Sequence, residues 1–392
     1  MDKWETLERK EKKGDILLKM IAISGEMPAN LPEKIVGSKS YTASLITDLK
    51  KKGYLLLRYR EGLRGYVLGK KGKNYLLQDY RQEVGSYLIG ASETNHVKSE
   101  LEKRLRLHRM SQIWGYFFMH GNLIFATEKP KIFTQDCYGK TSLGTYYGSQ
   151  ELKQGTDQVK GSRACGLYMK NEEVFVVYNS MGNLMKWSKK METAMRCWVE
   201  RNLLKTGITW QGKAILFGDS MKLLRKILLS SGGVKQELFQ TDDVYEQYYF
   251  VPQDKEGAYL QIELLTDKER SHAFSTFLET ILDEVERNEF PIYAGLKKGI
   301  PVYFVYELEL RKLQMVKQDM ERRGRGMAVC FDYQQELLKD YYGEGVEIMV
   351  LDCEKVKQYL LAMEAYARHA FPGIHFARAG DVYAMSGEDE TI

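Results

Sequence analysis

The chain has 392 residues, of which 44% are hydrophobic and 28% charged, with 58 Lys and Arg against 53 Asp and Glu. That is ordinary for a soluble protein of two or three domains with buried cores, and only 7 Pro argue against long irregular linkers. The small net charge hides an asymmetry: residues 1–110 carry 23 basic and 14 acidic residues, the remainder 35 and 39, so a basic front precedes a mildly acidic body.

The front opens with an apolar helix, Ile16-Leu17-Leu18-Lys19-Met20-Ile21-Ala22-Ile23, followed by a short second segment from Leu31 to Val36. Ser38 or Ser40 caps a third helix, because a serine hydroxyl satisfies an orphan amide of the first turn. Leu45, Ile46 and Leu49 recur at helical spacing and face the core. The helix runs to Lys50-Lys51-Lys52-Gly53, where glycine tolerates the left-handed conformation of a helix stop. A hairpin comes next: Tyr54 to Arg60, a tip at Glu61-Gly62, and Arg64-Gly65-Tyr66-Val67-Leu68. Residues 70–80 enter a further helix.

Residues 81–130 read as a helical connector. Its longest helix, Glu93 to Trp114, places Val97, Leu101 and Leu105 on one stripe, with Lys98, Lys103, Arg104, Arg106 and Arg109 lining much of the rest: a solvated basic face in the first reading, or one that braces the winged helix or extends its phosphate contacts. Residues 131–240 alternate strands (Cys165–Met169, Val174–Tyr178, Lys213–Gly218) with helices (Lys189–Leu204, Lys222–Leu229). Residues 241–385 repeat the style, with strands at Pro301–Tyr306, Met327–Phe331 and Val346–Leu351 and a helix from Leu310 to Arg322. Short apolar runs alternating with helices indicate α/β layering with parallel pairing. Both segments run strand, helix, strand, helix, as distant internal copies would, without residue-level identity. The sequence leaves open whether they share one sheet. Ser386 to Ile392 read as a loose acidic tail.

Few motifs carry chemistry. Gly139-Lys140-Thr141 invites a phosphate-loop reading, but Thr134 stands where that loop needs glycine. His96, His108, His120, His272, His369 and His375 show no metal-ligand spacing. The five cysteines, Cys137, Cys165, Cys197, Cys330 and Cys353, are odd in number and far apart, which indicates reduced thiols and a cytoplasmic protein. Met1-Asp2-Lys3-Trp4-Glu5 is no signal peptide, and no apolar run approaches membrane-spanning length. Glu307 and Glu309 close one strand on the same face, and Asp219 and Asp352 sit at strand ends. Such acids could bind a divalent ion that activates water, or simply cap helices.

From Lys50 to Lys73 nine basic residues (Lys50, Lys51, Lys52, Arg58, Arg60, Arg64, Lys70, Lys71, Lys73) stand against one acid, Glu61. Three helices followed by a basic hairpin outline a winged helix, and clustered cations point to a phosphate backbone. In this reading Arg58, Arg60 and Arg64 track phosphates or enter a narrow minor groove. Lys39, Ser40, Tyr41, Thr42 and Ser44 offer side chains to the major groove. Lys51, Lys70 and Lys71 complete the set. A module for protein interaction or dimerisation alone is the plainer alternative.

Three features go together: Leu49-Lys50-Lys51-Lys52-Gly53-Tyr54-Leu55 with Arg64-Gly65-Tyr66-Val67-Leu68-Gly69-Lys70-Lys71-Gly72; the helix containing His96; and Gly161-Ser162-Arg163-Ala164-Cys165-Gly166 leading into Val174-Phe175-Val176-Val177-Tyr178-Asn179. In this order, over residues 14–220, the chain resembles the replication-relaxation family of Gram-positive plasmids and integrative conjugative elements. The resemblance implies a restriction-endonuclease-like α/β core behind the winged helix. An active core of that kind needs an acid near its first strand and an acid-x-Lys set on the next. Ala164-Cys165-Gly166-Leu167-Tyr168 and Val177-Tyr178-Asn179-Ser180 hold no carboxylate there, so the resemblance implies a degenerate, non-catalytic core.

The expected fold is therefore α/β with an N-terminal winged-helix (α+β) domain and a body of mixed α/β layers. The winged helix spans 10–80, the connector 81–130, the degenerate nuclease-like core 131–240 and a second α/β segment 241–385. The expected function is non-catalytic binding of double-stranded DNA in plasmid or conjugative-element replication, mobilisation or its regulation. A relaxase, a replication protein or a second copy of the chain would be the partner, without cofactor, metal or membrane. The alternatives are a metal-dependent DNA nuclease using Glu307 and Glu309, and a winged-helix transcription regulator whose body binds a ligand or partner.

Overall fold

A computed structural model describes residues 12–90, 100–134, 143–153, 159–230, 238–287 and 292–370, with side chains to 365. Among the described residues, fourteen helices and three sheets make a mixed α/β protein. Its described residues divide into two units, one of those up to 153 with 165–169, the other of those in 159–164 and 170–370. None of the described helices is long and apolar enough to cross a membrane.

In the first unit, α1 (Lys13–Ser24) is buried from Ile16 through Ser24. A helix that is apolar all round belongs in the middle of a core, and α1 is packed by β3, α4, α5 and α6, introduced below. Its buried cation, Lys19, is matched: Nζ lies 2.5 Å from Glu83 Oε2 and 4.1 Å above the centre of the Phe125 ring. After β1 (Met27–Pro28), α2 (Leu31–Val36) starts with Pro32 in its first turn, where a missing amide costs nothing. Ser38 caps α3 (Lys39–Lys51), accepting from the Tyr41 amide, and Gly53 turns the chain away at φ 73°. Strands β2 (Leu55–Arg60) and β3 (Leu63–Leu68) pair antiparallel from Leu55 opposite Leu68 to Arg60 opposite Leu63. The tip residues Glu61 and Gly62 both have positive φ, 51° and 78°, the turn twist that suits a two-residue hairpin. β1 adds to the far side of β3, giving the order β1-β3-β2. The unit continues with α4 (Lys70–Asp79), α5 (Arg81–Leu88), α6 (Leu101–Met119), β4 (Thr145–Gly148), the single turn α7 (Ser149–Leu152) and β5 (Gly166–Lys170), antiparallel to β4.

The second unit begins with β6 (Glu173–Asn179), α8 (Lys189–Leu204), β7 (Lys213–Gly218), α9 (Met221–Leu228) and β8 (Gln247–Pro252). β6, β7 and β8 are parallel and buried on both faces, which is why they read as continuous apolar runs instead of alternating ones. Helices α10 (Ala258–Thr266) and α11 (Lys268–Glu279) lead to β9 (Glu284–Val285), β10 (Gly295–Lys297), β11 (Ile300–Phe304), α12 (Leu310–Arg323), β12 (Gly326–Phe331), α13 (Gln335–Tyr342), β13 (Val346–Leu351) and α14 (Cys353–Ala370). These strands form their own sheet in the order β13-β12-β11-β10-β9, so the two α/β segments do not share one. β9, β10 and β11 are antiparallel; β11, β12 and β13 are parallel. Val302, Val329 and Phe331 of this sheet pack with Phe274, Leu278 and Leu360 of the covering helices.

The element order repeats. Among the described residues, β4-β5-β6-α8-β7-α9-β8 and β9-β10-β11-α12-β12-α13-β13 are the same succession, each followed by a helix, apart from α7 in the first and a 3-10 turn at Asp332–Gln334 in the second. In both, an antiparallel pair opens the series and three parallel strands with crossing helices close it.

Two glycines separate packing from helix propensity. Replacing glycine by alanine inside a helix ordinarily stabilises by about 1 kcal/mol. At Gly85 on α5 an added Cβ meets only the Arg81 side chain at 3.4 Å, and Gly85→Ala should raise the urea midpoint. At Gly72 on α4 the Cβ would lie 2.4 Å from the Tyr54 carbonyl oxygen, which is backbone and cannot swing aside. Gly72→Ala should lower the midpoint, the overpacking costing about 1–3 kcal/mol of unfolding free energy; equal shifts in the two variants would overturn this account.

Candidate nucleic-acid interface

Thr42, Ile46 and Leu49 form the buried stripe of α3, one residue in each turn. The opposite face is exposed and carries small polar side chains, Ser40, Ser44 and Thr47, with Ala43 at one margin and Asp48, paired with Lys52 at 2.7 Å, at the other. Lys39 and Tyr41 stand exposed at its start and Lys51 at its end. Thr42 is therefore not part of the outward surface expected of it: it is buried, and its hydroxyl donates to the Ser38 carbonyl at 2.6 Å. The stripe spacing 42, 46, 49 was present in the sequence and would have assigned it to the core. Lys70 and Lys71, in the first turn of α4, are exposed as expected.

The hairpin is organised around Glu26, a residue that sequence reasoning passed over. Its carboxylate has no solvent exposure. Arg104 Nε donates to both oxygens at 3.1 and 3.0 Å, and Arg104 Nη2 to Oε1 at 2.6 Å. His108 Nε2 lies 3.0 Å from Oε1, and Arg58 Nη1 reaches Oε2 at 3.4 Å. Arg104 Nη2 also donates to the carbonyls of Arg58 and Leu63, on the two strands flanking the hairpin tip. Gly65 is required here, because a Cβ would fall 2.3 Å from Glu26 Oε1 and 2.6 Å from His108 Nε2. Burial alone would raise the Glu26 pKa, but the hydrogen bonds and positive charges of His108 and Arg104 pull it down to about 2.

This cluster corrects two expectations. On α6 the buried stripe begins with Arg104, His108 and Ser111, while Leu101 is exposed and Leu105 half-buried, so Arg104 does not belong to a solvated basic face. Second, the wing arginines do not act as one group. Successive strand residues point to opposite faces and directly opposed residues share one. Arg58, opposite Gly65, turns to Glu26 and is withdrawn from the exposed set. Arg60 is exposed but paired with its neighbour Glu61 at 2.8 Å, a contact worth little in water. Arg64, opposite Tyr59, lies on the other face and is exposed.

The carboxylates weighed for metal chemistry have structural partners. Glu309 is the N-cap of α12, accepting from the Lys312 amide at 2.6 Å and also from the Tyr248 amide at 3.1 Å. Glu307 lies 3.5 Å from Lys312 Nζ. Asp352 accepts from the Lys355 amide at the start of α14, and Asp219 directly precedes Ser220, the N-cap of α9. A further buried acid, Glu192 on α8, accepts from Ser162 Oγ, the Arg163 amide and Tyr178 Oη at 2.7, 2.8 and 2.7 Å. Among the described residues no group of three or more His, Cys, Asp or Glu is placed to hold a metal ion. Cys165, Cys330 and Cys353 are buried free thiols and Cys197 is half-buried. Gly139-Lys140-Thr141, Cys137, His96, His375, the chain start and the acidic tail lie outside the described residues, as does the His369 side chain.

No protein-family model matches the chain, and neither a curated protein nor a solved structure is significantly similar to it.

The Glu26 cluster has a pH signature. Its folded pKa lies below the unfolded value, so its stabilisation is complete above about pH 4.3 and is lost as pH falls toward the folded value. Wild type should lose thermal stability steadily between about pH 5 and 2. Glu26→Gln, which leaves Arg104 buried without its partner charge, should be weaker at pH 7 by about 3–5 kcal/mol and show a flatter acid limb. Parallel acid limbs in thermal melts of the two proteins would exclude Glu26 as the group responsible.

Proposed function

We propose that α1 to β3 form a winged helix that binds double-stranded DNA, and that the duplicated α/β body is a non-catalytic platform. One observation carries this reading. Helices α1, α2 and α3 precede a hairpin of β2 and β3 to which β1 adds in the order β1-β3-β2, and the outward face of α3 is mostly small and polar, its one acid Asp48 paired with Lys52, and is flanked by Lys39 and Lys51. Short side chains let a helix approach base edges closely, while cations at its ends contact the phosphates on either side. Arg64 on the wing and Lys70 and Lys71 at the start of α4 extend the cationic surface. Capping by Glu309 and Asp352 supports a scaffold role for the body, since an acid committed to helix amides is poorly placed to coordinate a metal. The role in replication or mobilisation of a mobile element, with a relaxase or replication protein as partner, rests on the family resemblance alone.

The test is a fluorescence-anisotropy titration of a labelled 24-base-pair duplex across salt concentrations. Affinity should fall log-linearly with salt, and Lys39→Ala, Lys51→Ala and Arg64→Ala should each reduce the slope by about one while circular dichroism stays unchanged. Absence of binding at low salt, or slopes indifferent to all three substitutions, would refute the reading. Arg58→Ala serves as contrast: it should affect stability more than the salt slope, because its guanidinium faces Glu26.

A further inference from the structure

The wing carries an aromatic side chain that neither the core nor a phosphate contact accounts for. Along one face of β2, exposure climbs from 1% at Leu55 through 36% at Leu57 to 68% at Tyr59, near the tip. The residues opposite them on β3 are Leu68, Tyr66 and Arg64. This face therefore runs from buried leucine to a protruding tyrosine with an exposed arginine directly across from it. The strands that carry it are braced from α6, where Arg104 donates to the carbonyls of Arg58 and Leu63 on either side of the segment 59–62. A ring presented on a braced hairpin is suited to opening a base step, because its own backbone does not yield when it is pressed against the stack.

Resting on the DNA reading above, we propose that Tyr59 is a wedge: it enters a base step of the bound duplex, stacks on the base it exposes, and selects DNA whose step is already weakly stacked. Charge favours nucleic acid over a protein partner for this face. Arg64 stands directly across from the ring on β3, Arg60 follows it in sequence on the other face of the strand, and the acid at the tip, Glu61, is engaged by Arg60. The stacked base would gain the π-face contact, and Arg64 would contact the phosphate beside the opened step.

The experiment uses the full chain and three labelled probes: a paired 24-base-pair duplex, the same duplex with one central T·T mismatch, and its single strand. A 2-aminopurine beside the central step reports unstacking. Wild type should prefer the mismatched duplex, because part of the unstacking is done in advance, and should raise the 2-aminopurine fluorescence. Tyr59→Ala should lose about ten-fold of that preference and the fluorescence rise, with its salt slope unchanged; Tyr59→Phe should keep both. An equal mismatch preference in wild type and Tyr59→Ala would overturn the wedge and leave the DNA reading standing. So would a wild-type preference for the single strand over both duplexes. If wild type binds none of the probes, the DNA reading itself fails.

Discussion

A carboxylate with no access to water must be matched by charge and hydrogen bonds or lose its ionisation. Glu26 is matched by three residues from two elements: Arg58 on the wing, and Arg104 and His108 on successive turns of α6. The chain from Glu26 continues directly into β1, which pairs with β3. One ionic knot thus fixes the third strand of the small sheet, the orientation of the hairpin and the docking of the long helix. Because Arg104 also holds backbone carbonyls, the hairpin is tied through its main chain and not only through mobile side chains. The arrangement is demanding. Gly65 leaves the room that it needs, and any side chain there would displace Glu26 or His108.

The body is governed by a different constraint. Parallel strands buried on both faces need helices to return the chain, and each returning helix exposes unpaired amides at its first turn. Acids stand at several of these junctions, Asp219 after β7, Asp254 after β8, Asp332 after β12 and Asp352 after β13, but α9 and α10 begin without a side-chain cap bond. Asp352 and Glu309 show the bonds directly. Both bonds lie in the second α/β segment and follow from helix electrostatics. They explain why the acids Glu309 and Asp352, at strand ends, resemble a metal site in sequence while bonding helix amides instead.

Much of this was legible before the structure. The helix caps at Ser38, the stop at Gly53, the tip at Glu61-Gly62 and strand β7 fall where local physics put them, because each depends on residues within one turn or one hairpin. What escaped reading is of two kinds. β9 and β10 have two and three residues, too few for any period to register, and β8, Gln247-Tyr248-Tyr249-Phe250-Val251-Pro252, is aromatic and ends in proline. The Glu26 cluster escaped for another reason: Arg104 lies 78 residues from its partner. The rule that apolar side chains mark the inner stripe assigns such an arginine to solvent. Only a buried acid brought alongside by the fold reverses that assignment.

The pleat of the hairpin ties these points together. With a period of two, a strand cannot place Arg58 and Tyr59 on the same face, nor Arg64 and Gly65. Clamping one face to Glu26 through Arg58 and Gly65 therefore forces Tyr59 and Arg64 outward together, whatever their own preference for water. A cluster of arginines that looks uniform in sequence is divided by geometry into an inner set that holds the hairpin and an outer set that it presents. The rigidity of the outer face is a consequence of the ionic knot on the inner one, so a change that loosens Glu26 should be felt on the side of the wing that never touches it.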